Sequence, residues 1–216
     1  MFISHKHKFI FVHVPKAAGT TITEMFKNSH KLTGKERRDP VPKIHHMGIE
    51  EILDKLPQCE SYFKFAVVRN PFSRLVSGYT EFKYDENREN SSGNWPWPTN
   101  MSQYNNFTEF CKDLPTSEWI SDPHFVSQTS LLYKGENLAV DYVARQENLY
   151  NDLRVIADKI AVSDEYLKEH LKLRSRQTGG RFYKGHWSQQ YNIETKRIIE
   201  SVYQEDFKNF GYRCEE

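Results

Sequence analysis

The chain lacks most of the features that place a protein by composition alone. No apolar run among its 216 residues approaches the 18 or more needed to span a bilayer. The charged start, MFISHKHK, is followed by a short apolar stretch that stops at Pro15. The long h-region and small-residue cleavage site of a secretory signal are therefore missing, which predicts a cytoplasmic chain. Charge of one sign is also lacking: 30 basic and 29 acidic residues leave a formal charge of +1. Bulk nucleic-acid binding shows as a basic domain, so no nucleic-acid partner is expected. Cysteine is scarce. Cys59, Cys111 and Cys214 are odd in number, far apart and form no CxxC. That argues against a disulfide framework or zinc ribbon and for free thiols. Internal repeats and low-complexity segments are absent. Without a leader, the sequons at Asn90, Asn100 and Asn106 read as chance matches in a polar loop.

What is present suffices for a core. Leu, Ile, Val and Phe make up about 24% of the chain, above the roughly 20% floor of disordered sequences. The length predicts one domain over 1–216 with a long inserted loop at about 84–106. Residues 9–14, FIFVHV, form a β-rich run that stops at Pro15-Lys16-Ala17-Ala18-Gly19. Thr20-Thr21-Ile22-Thr23-Glu24-Met25-Phe26 then reads as a helix start, capped by Thr21 with Glu24 three residues on. The plan repeats at 63–68 (FKFAVV), followed by Arg69-Asn70-Pro71 and a helix over 72–82. It repeats again at 140–144, followed by a helix carrying Leu149, Leu153, Ile156 and Ile160 at helical spacing. Strand-then-helix units predict a parallel sheet covered by helices. A last helix is expected over 193–210, with Ile198, Ile199, Val202 and Phe210 on one face.

The loop at 15–21 has the physics of an anion cradle. A tight turn after a strand presents the unpaired N–H groups of the next helix, a geometry that takes phosphate or sulfate. Lys16 adds charge, and Thr20 and Thr21 add hydroxyl donors. The triphosphate pattern G-x-x-x-x-G-K-[ST] is not met, because its first Gly is missing and Lys16 precedes Gly19. Taken alone, the loop serves equally as an ordinary strand–helix turn with a solvated Lys16. The segment 67–79, VVRNPFSRLVSGY, puts Arg69 at a strand end and Ser77 two turns into the following helix. Ligands of open parallel sheets sit at such strand ends. Arg69 can fork onto a phosphate, and Ser77 can donate to the same anion.

Together the two segments resemble the sulfotransferase superfamily, in its carbohydrate-sulfotransferase-like branch. Pro-Lys-x-(Ala/Gly)-Gly-Thr-Thr is similar to that family's 5′-phosphosulfate loop, and Arg-(Asn/Asp)-Pro-x-x-Arg-x-x-Ser-x-Tyr to its 3′-phosphate motif. The resemblance extends to His46-Met47-Gly48-Ile49-Glu50-Glu51-Ile52, to 122–128 (DPHFVSQ) and to 144–149 (ARQENL). It implies a three-layer α/β fold of the P-loop nucleotide-kinase type. It also implies 3′-phosphoadenosine 5′-phosphosulfate (PAPS) as donor, adenosine 3′,5′-bisphosphate (PAP) as product, no metal, and an acceptor hydroxyl, by branch that of a saccharide. Lys16, Ala17, Ala18, Gly19, Thr20 and Thr21 would hold the 5′ end and Arg69 and Ser77 the 3′ end, with structural roles for Arg74 and Tyr79. A late basic loop over 174–190 would contribute Arg181 and Lys184, and Lys16 would stabilise the charge on the leaving oxygen.

A hydroxyl acceptor needs a general base, and histidine titrates near neutrality. By the family match the base is His46, with His45 beside it and His124 as runner-up or merely a loop-holder. His5, His7 and His13 read as surface or strand residues. Trp95 and Trp97, in a loop stiffened by Pro96 and Pro98, suit either a sugar ring or the pinning of that loop. Two rival functions stay open: a phosphotransferase on the same architecture, and a non-catalytic nucleotide- or saccharide-binding module.

Overall fold

The computed structural model describes residues 1–28, 47–84, 101–163, 165–169, 171 and 185–213. In chain order its strands are β1 (Phe2–Ser4), β2 (Phe9–Val12), β3 (Phe63–Val68), β4 (Tyr133–Lys134), β5 (Asn137–Leu138) and β6 (Tyr142–Arg145). Its helices are α1 (Gly19–Asn28), α2 (Ile49–Lys55), α3 (Pro71–Tyr84), α4 (Phe107–Asp113), α5 (Gln128–Leu132), α6 (Leu149–Ile160), α7 (Ile193–Val202) and α8 (Gln204–Phe210). They group into two compact units, Met1–Arg69 with Gln128–Thr178, and Asn70–Ser127 with Gly179–Glu216.

The first unit holds a four-stranded sheet in the order β1-β2-β3-β6. β2, β3 and β6 are parallel, in the register Phe11↔Phe65 and Val67↔Ala144. Period-2 alternation puts Phe9, Phe11, Phe65, Val67 and Ala144 on one face. They pack against Ile22, Met25 and Phe26 of α1 and Leu153, Ile156, Ala157 and Ile160 of α6. The other face, Ile10, Val12, Ala66 and Val68, is equally closed to solvent. Burial on both faces is why β2 and residues 65–68 of β3 read as unbroken apolar runs. Phe9, Phe26 and Phe65 meet with ring centroids 5.1 to 6.0 Å apart, within the range of favourable aromatic pairs. The sheet is not wholly parallel, however. β1 lies antiparallel on β2, and three residues before a polar turn are too few to show a period. A small β4–β5 hairpin forms a second sheet.

The second unit is helical and aromatic. Phe72, Tyr79, Phe82, Tyr104, Phe107, Phe110, Trp119, Phe125 and Tyr203 share one core. Asn70 starts α3. Its side-chain oxygen accepts from the Phe72 N–H at 3.0 Å and its carbonyl from the Arg74 N–H at 2.9 Å. Pro71 follows at the position where a missing N–H costs nothing. From 71 to 80 every residue of α3 is buried except Ser77. Gly78 lies where a Cβ would press to 2.7 Å on the Phe125 ring, so this helix surface tolerates no side chain.

Two expectations need correction. Thr21 does not cap α1, which already begins at Gly19, because the tight turn hands over directly to helix. The last helix is broken. Tyr203 leaves helical geometry at φ −109°, ψ 28° and donates its hydroxyl to the Phe125 carbonyl at 2.6 Å, so α7 and α8 are separate. An Asn192–Thr195 capping box opens α7. The last part of the polar loop, 101–106, leads into α4 at Phe107 and is packed down. Met101 and Tyr104 are buried, and Lys83 Nζ donates to the Tyr104 carbonyl at 2.6 Å and reaches that of Met101 at 3.4 Å. Phe65→Ala should lower the unfolding free energy by about 3–5 kcal/mol in a denaturant titration. Leu138→Ala, at an exposed position, should move it by less than about 0.5 kcal/mol.

Candidate functional site

In the first unit, β2 ends at Val12 and six residues turn the chain into α1. The turn is tight: the Ala17 N–H reaches the Val14 carbonyl at 3.3 Å, and the first helical bond runs from Ile22 N–H to the Ala18 carbonyl at 3.1 Å. Lys16 and Ala18 adopt left-handed φ values of 67° and 64°. Each such non-glycine position costs on the order of 1 kcal/mol, and such positions cluster at ligand sites. Gly19, the one glycine of the loop, is not among the left-handed residues. It serves close approach instead, since any Cβ there would overlap the His13 imidazole. His13, one residue past β2, is half-buried and stacks on Phe11 at 6.0 Å. It was legible only as a strand residue, because its contact with Gly19 is made across the turn. Thr20 is exposed and Thr21 half-buried in the first turn of α1, where helical N–H groups have no intrahelical acceptor.

Arg69 follows the last residue of β3, and its Nη1 donates to the Lys16 carbonyl at 3.2 Å. The two motif cations are thus joined at the C-terminal ends of neighbouring parallel strands. Gln128 holds the Arg69 main chain from both sides. It accepts from the Arg69 N–H at 2.9 Å and donates to the Arg69 carbonyl at 2.8 Å. Arg145 ends β6, and its N–H donates to the Asp152 carboxylate at 2.6 Å, a strand-to-helix clasp that fits a structural role. Gly48 stands before α2, where a Cβ would come within 3.3 Å of the Leu131 backbone of α5.

In the second unit Ser77 is the half-buried member of an otherwise buried stretch of α3. Arg74 points inward, with Nη1 donating to the Val126 carbonyl at 2.8 Å. Burial pulls its pKa below the ordinary value, opposed by Tyr203, Asp206 and Asp122. Burial likewise pushes the Tyr79 hydroxyl up to about 12. Both residues hold the core. His124 is 7% exposed. Its Nδ1 and its backbone N–H both meet Asp122 Oδ1, at 2.9 and 2.7 Å, and its ring stands edge-on to Phe82. His45, His46, Trp95, Trp97, Arg181 and Lys184 lie outside the described residues. Among those described, no three His, Cys, Asp or Glu side chains are grouped to hold a metal ion, and no helix is long and apolar enough to cross a membrane.

A mostly parallel sheet packed against helices, with a cation-bearing turn at its strand ends, defines an α/β protein. More narrowly, the chain belongs to the sulfotransferase family, whose family model matches residues 1–213. It is similar to carbohydrate sulfotransferase 10 of Xenopus laevis, 22% identical over 99% of this chain and 67% of the relative. Carbohydrate sulfotransferase 10 of Gallus gallus is 23% identical, over 99% of this chain and 66% of its own length. That of Mus musculus is 24% identical, over 99% and 67%. The chain thus spans about two thirds of these relatives. No solved structure gives a significant match.

The Gly19–His13 contact makes a reciprocal prediction. Gly19→Ala should lower the unfolding free energy by about 1–3 kcal/mol in a denaturant titration. Adding His13→Ala should recover most of that loss by vacating the overlapped space.

Proposed function

We propose that the protein transfers a sulfuryl group from PAPS to a hydroxyl, by the names of its relatives that of a saccharide. The observation that carries this reading is the Arg69 guanidinium seated on the Lys16 carbonyl at 3.2 Å. It joins the two motifs at one end of the sheet, beside a helix N-terminus and a strained turn. Such a concentration of N–H donors and positive charge fits the phosphate and sulfate groups of the donor.

The donor supplies an activated sulfuryl group on a phosphate leaving oxygen. The residues of the chain then act by position and charge. Lys16, Thr20, Thr21 and the N–H groups of the turn, including those of Ala17, Ala18 and Gly19, hold the 5′ end. They face the oxygen on which charge grows, so they favour the transition state over the ground state. Arg69 and Ser77 hold the 3′-phosphate by motif match, with Arg181 and Lys184 as further contacts to the nucleotide. Trp95 and Trp97 supply aromatic faces for the acceptor. His46, or His45 beside it, takes the proton of the acceptor hydroxyl. His124 is the second reading for that role, supported by the Asp122 carboxylate on its Nδ1, which fixes tautomer and ring orientation in the manner of a positioned base.

Calorimetry with the bisphosphate product, beside ATP with magnesium, tests the donor. Tight, metal-independent binding of the bisphosphate, lost in Arg69→Ala, is expected. A preference for ATP with magnesium would turn the reading to a phosphotransferase. In sulfuryl-transfer assays Lys16→Ala should lower kcat by about 100-fold or more. His46→Ala should remove the acid limb of the rate profile, which for a histidine base falls below about pH 6.5. If His124→Asn removes that limb instead, the base is His124.

A further inference from the structure

We infer that Gln128 is a positioning residue of the donor site, acting through Arg69. The sheet explains why one is needed. β3 pairs with β6 up to Val68↔Arg145, and the ladder stops there. Arg69 stands one residue past the last pair, so its backbone N–H and carbonyl have outrun the neighbouring strand. Gln128 is fully buried and opens α5. Its carboxamide meets both groups, accepting at 2.9 Å and donating at 2.8 Å. A primary amide sets an N–H donor beside a carbonyl acceptor, as a peptide group does, so Gln128 extends the ladder by one rung. With its backbone held, Arg69 turns its guanidinium to the Lys16 carbonyl, where Lys16 stands in a left-handed conformation. The relay therefore runs from α5 through the end of β3 into the anion turn. Gln128 is 59 positions from Arg69 in sequence and touches it through main-chain groups alone among the bonds described. Asp and Glu cannot replace it, since neither carboxylate can donate to the Arg69 carbonyl. An apolar side chain would leave two buried backbone groups without their amide partner.

The inference rests on the donor reading above, and its test separates the two. Gln128→Met keeps length and volume but removes both bonds. In the ligand-free protein, amide exchange followed by NMR should speed up at least tenfold at the Arg69 N–H, with little change in β2 or α6. Calorimetry should then show binding of adenosine 3′,5′-bisphosphate weakened at least tenfold and binding of adenosine 5′-monophosphate changed less than twofold, because Arg69 serves the 3′-phosphate. In an Arg69→Ala background, Gln128→Met should add nothing to the bisphosphate loss. Unchanged exchange at Arg69 would overturn the inference. So would an equal loss for both nucleotides, which a merely structural role predicts. If Gln128→Met does not fold, Gln128→Asn keeps the amide but shortens its reach, and the same pattern is expected at smaller amplitude. Should the unaltered protein fail to prefer the bisphosphate, the donor reading falls. The exchange measurement still decides whether Gln128 holds Arg69.

Discussion

In the first unit a hydrogen bond between a guanidinium and a carbonyl ties the two motif segments together. Arg69 reaches the Lys16 carbonyl at 3.2 Å, and through it two separate stretches of chain acquire a common geometry. Each stretch has its own local reason to exist. The turn at 15–18 follows from a strand that must hand over to a helix, and Arg69 follows from a strand that must end. Neither local reason brings charge together. The bond does, and it does so at a carbonyl oxygen whose residue has φ of 67°. Left-handed backbone persists only where its surroundings determine it, and here the surroundings include a buried amide two contacts away.

The wider fold serves that arrangement by stiffness. Phe9, Phe11, Phe26 and Phe65 fill one face of the sheet, and the residues on the opposite face are also closed to solvent. A strand so enclosed cannot slip in register without moving every aromatic side chain to the wrong face. The position of its last residue is therefore well defined, which a charge at a strand end requires. The second unit achieves stiffness by other means. Arg74 is sunk in an aromatic core with a main-chain acceptor, and Gly78 lets Phe125 lie directly on the helix.

Much of this was legible in the residues. β3 occupies 63–68 as its apolar run indicates, and α3 begins at the Asn-Pro pair that dictates its cap. The tight turn between β2 and α1, with Lys16 in it, could be read because local chemistry and spacing suffice for that. What escaped reading is nonlocal or short. β1 has three residues and no period to detect. The division at Tyr203 depends on a hydroxyl bond to Phe125, 78 positions away. The role of Gln128 is written nowhere near Arg69. His13 lies six positions before Gly19, yet nothing in strand periodicity announces that its ring will cover that glycine.

The order in which the chain leaves the ribosome gives the two-unit architecture a further meaning. Each unit is assembled from two separated stretches, and the chain passes from one unit to the other at 69/70, 127/128 and 178/179. When Arg69 emerges, the amide that will hold it lies 59 residues in the future. β3 must likewise wait for Tyr142 to Arg145 before it gains its second parallel neighbour. Nascent β3 therefore carries an open, mostly apolar edge through much of synthesis, the state in which strands pair wrongly. Of the aromatic core, only the part from Phe72 to Phe125 lies in the sequence that intervenes, and Ile199 and Tyr203 join it near the end of synthesis. Maturation of the Arg69 strand end is thus a late event, completed when a distant glutamine arrives rather than when the strand itself is made.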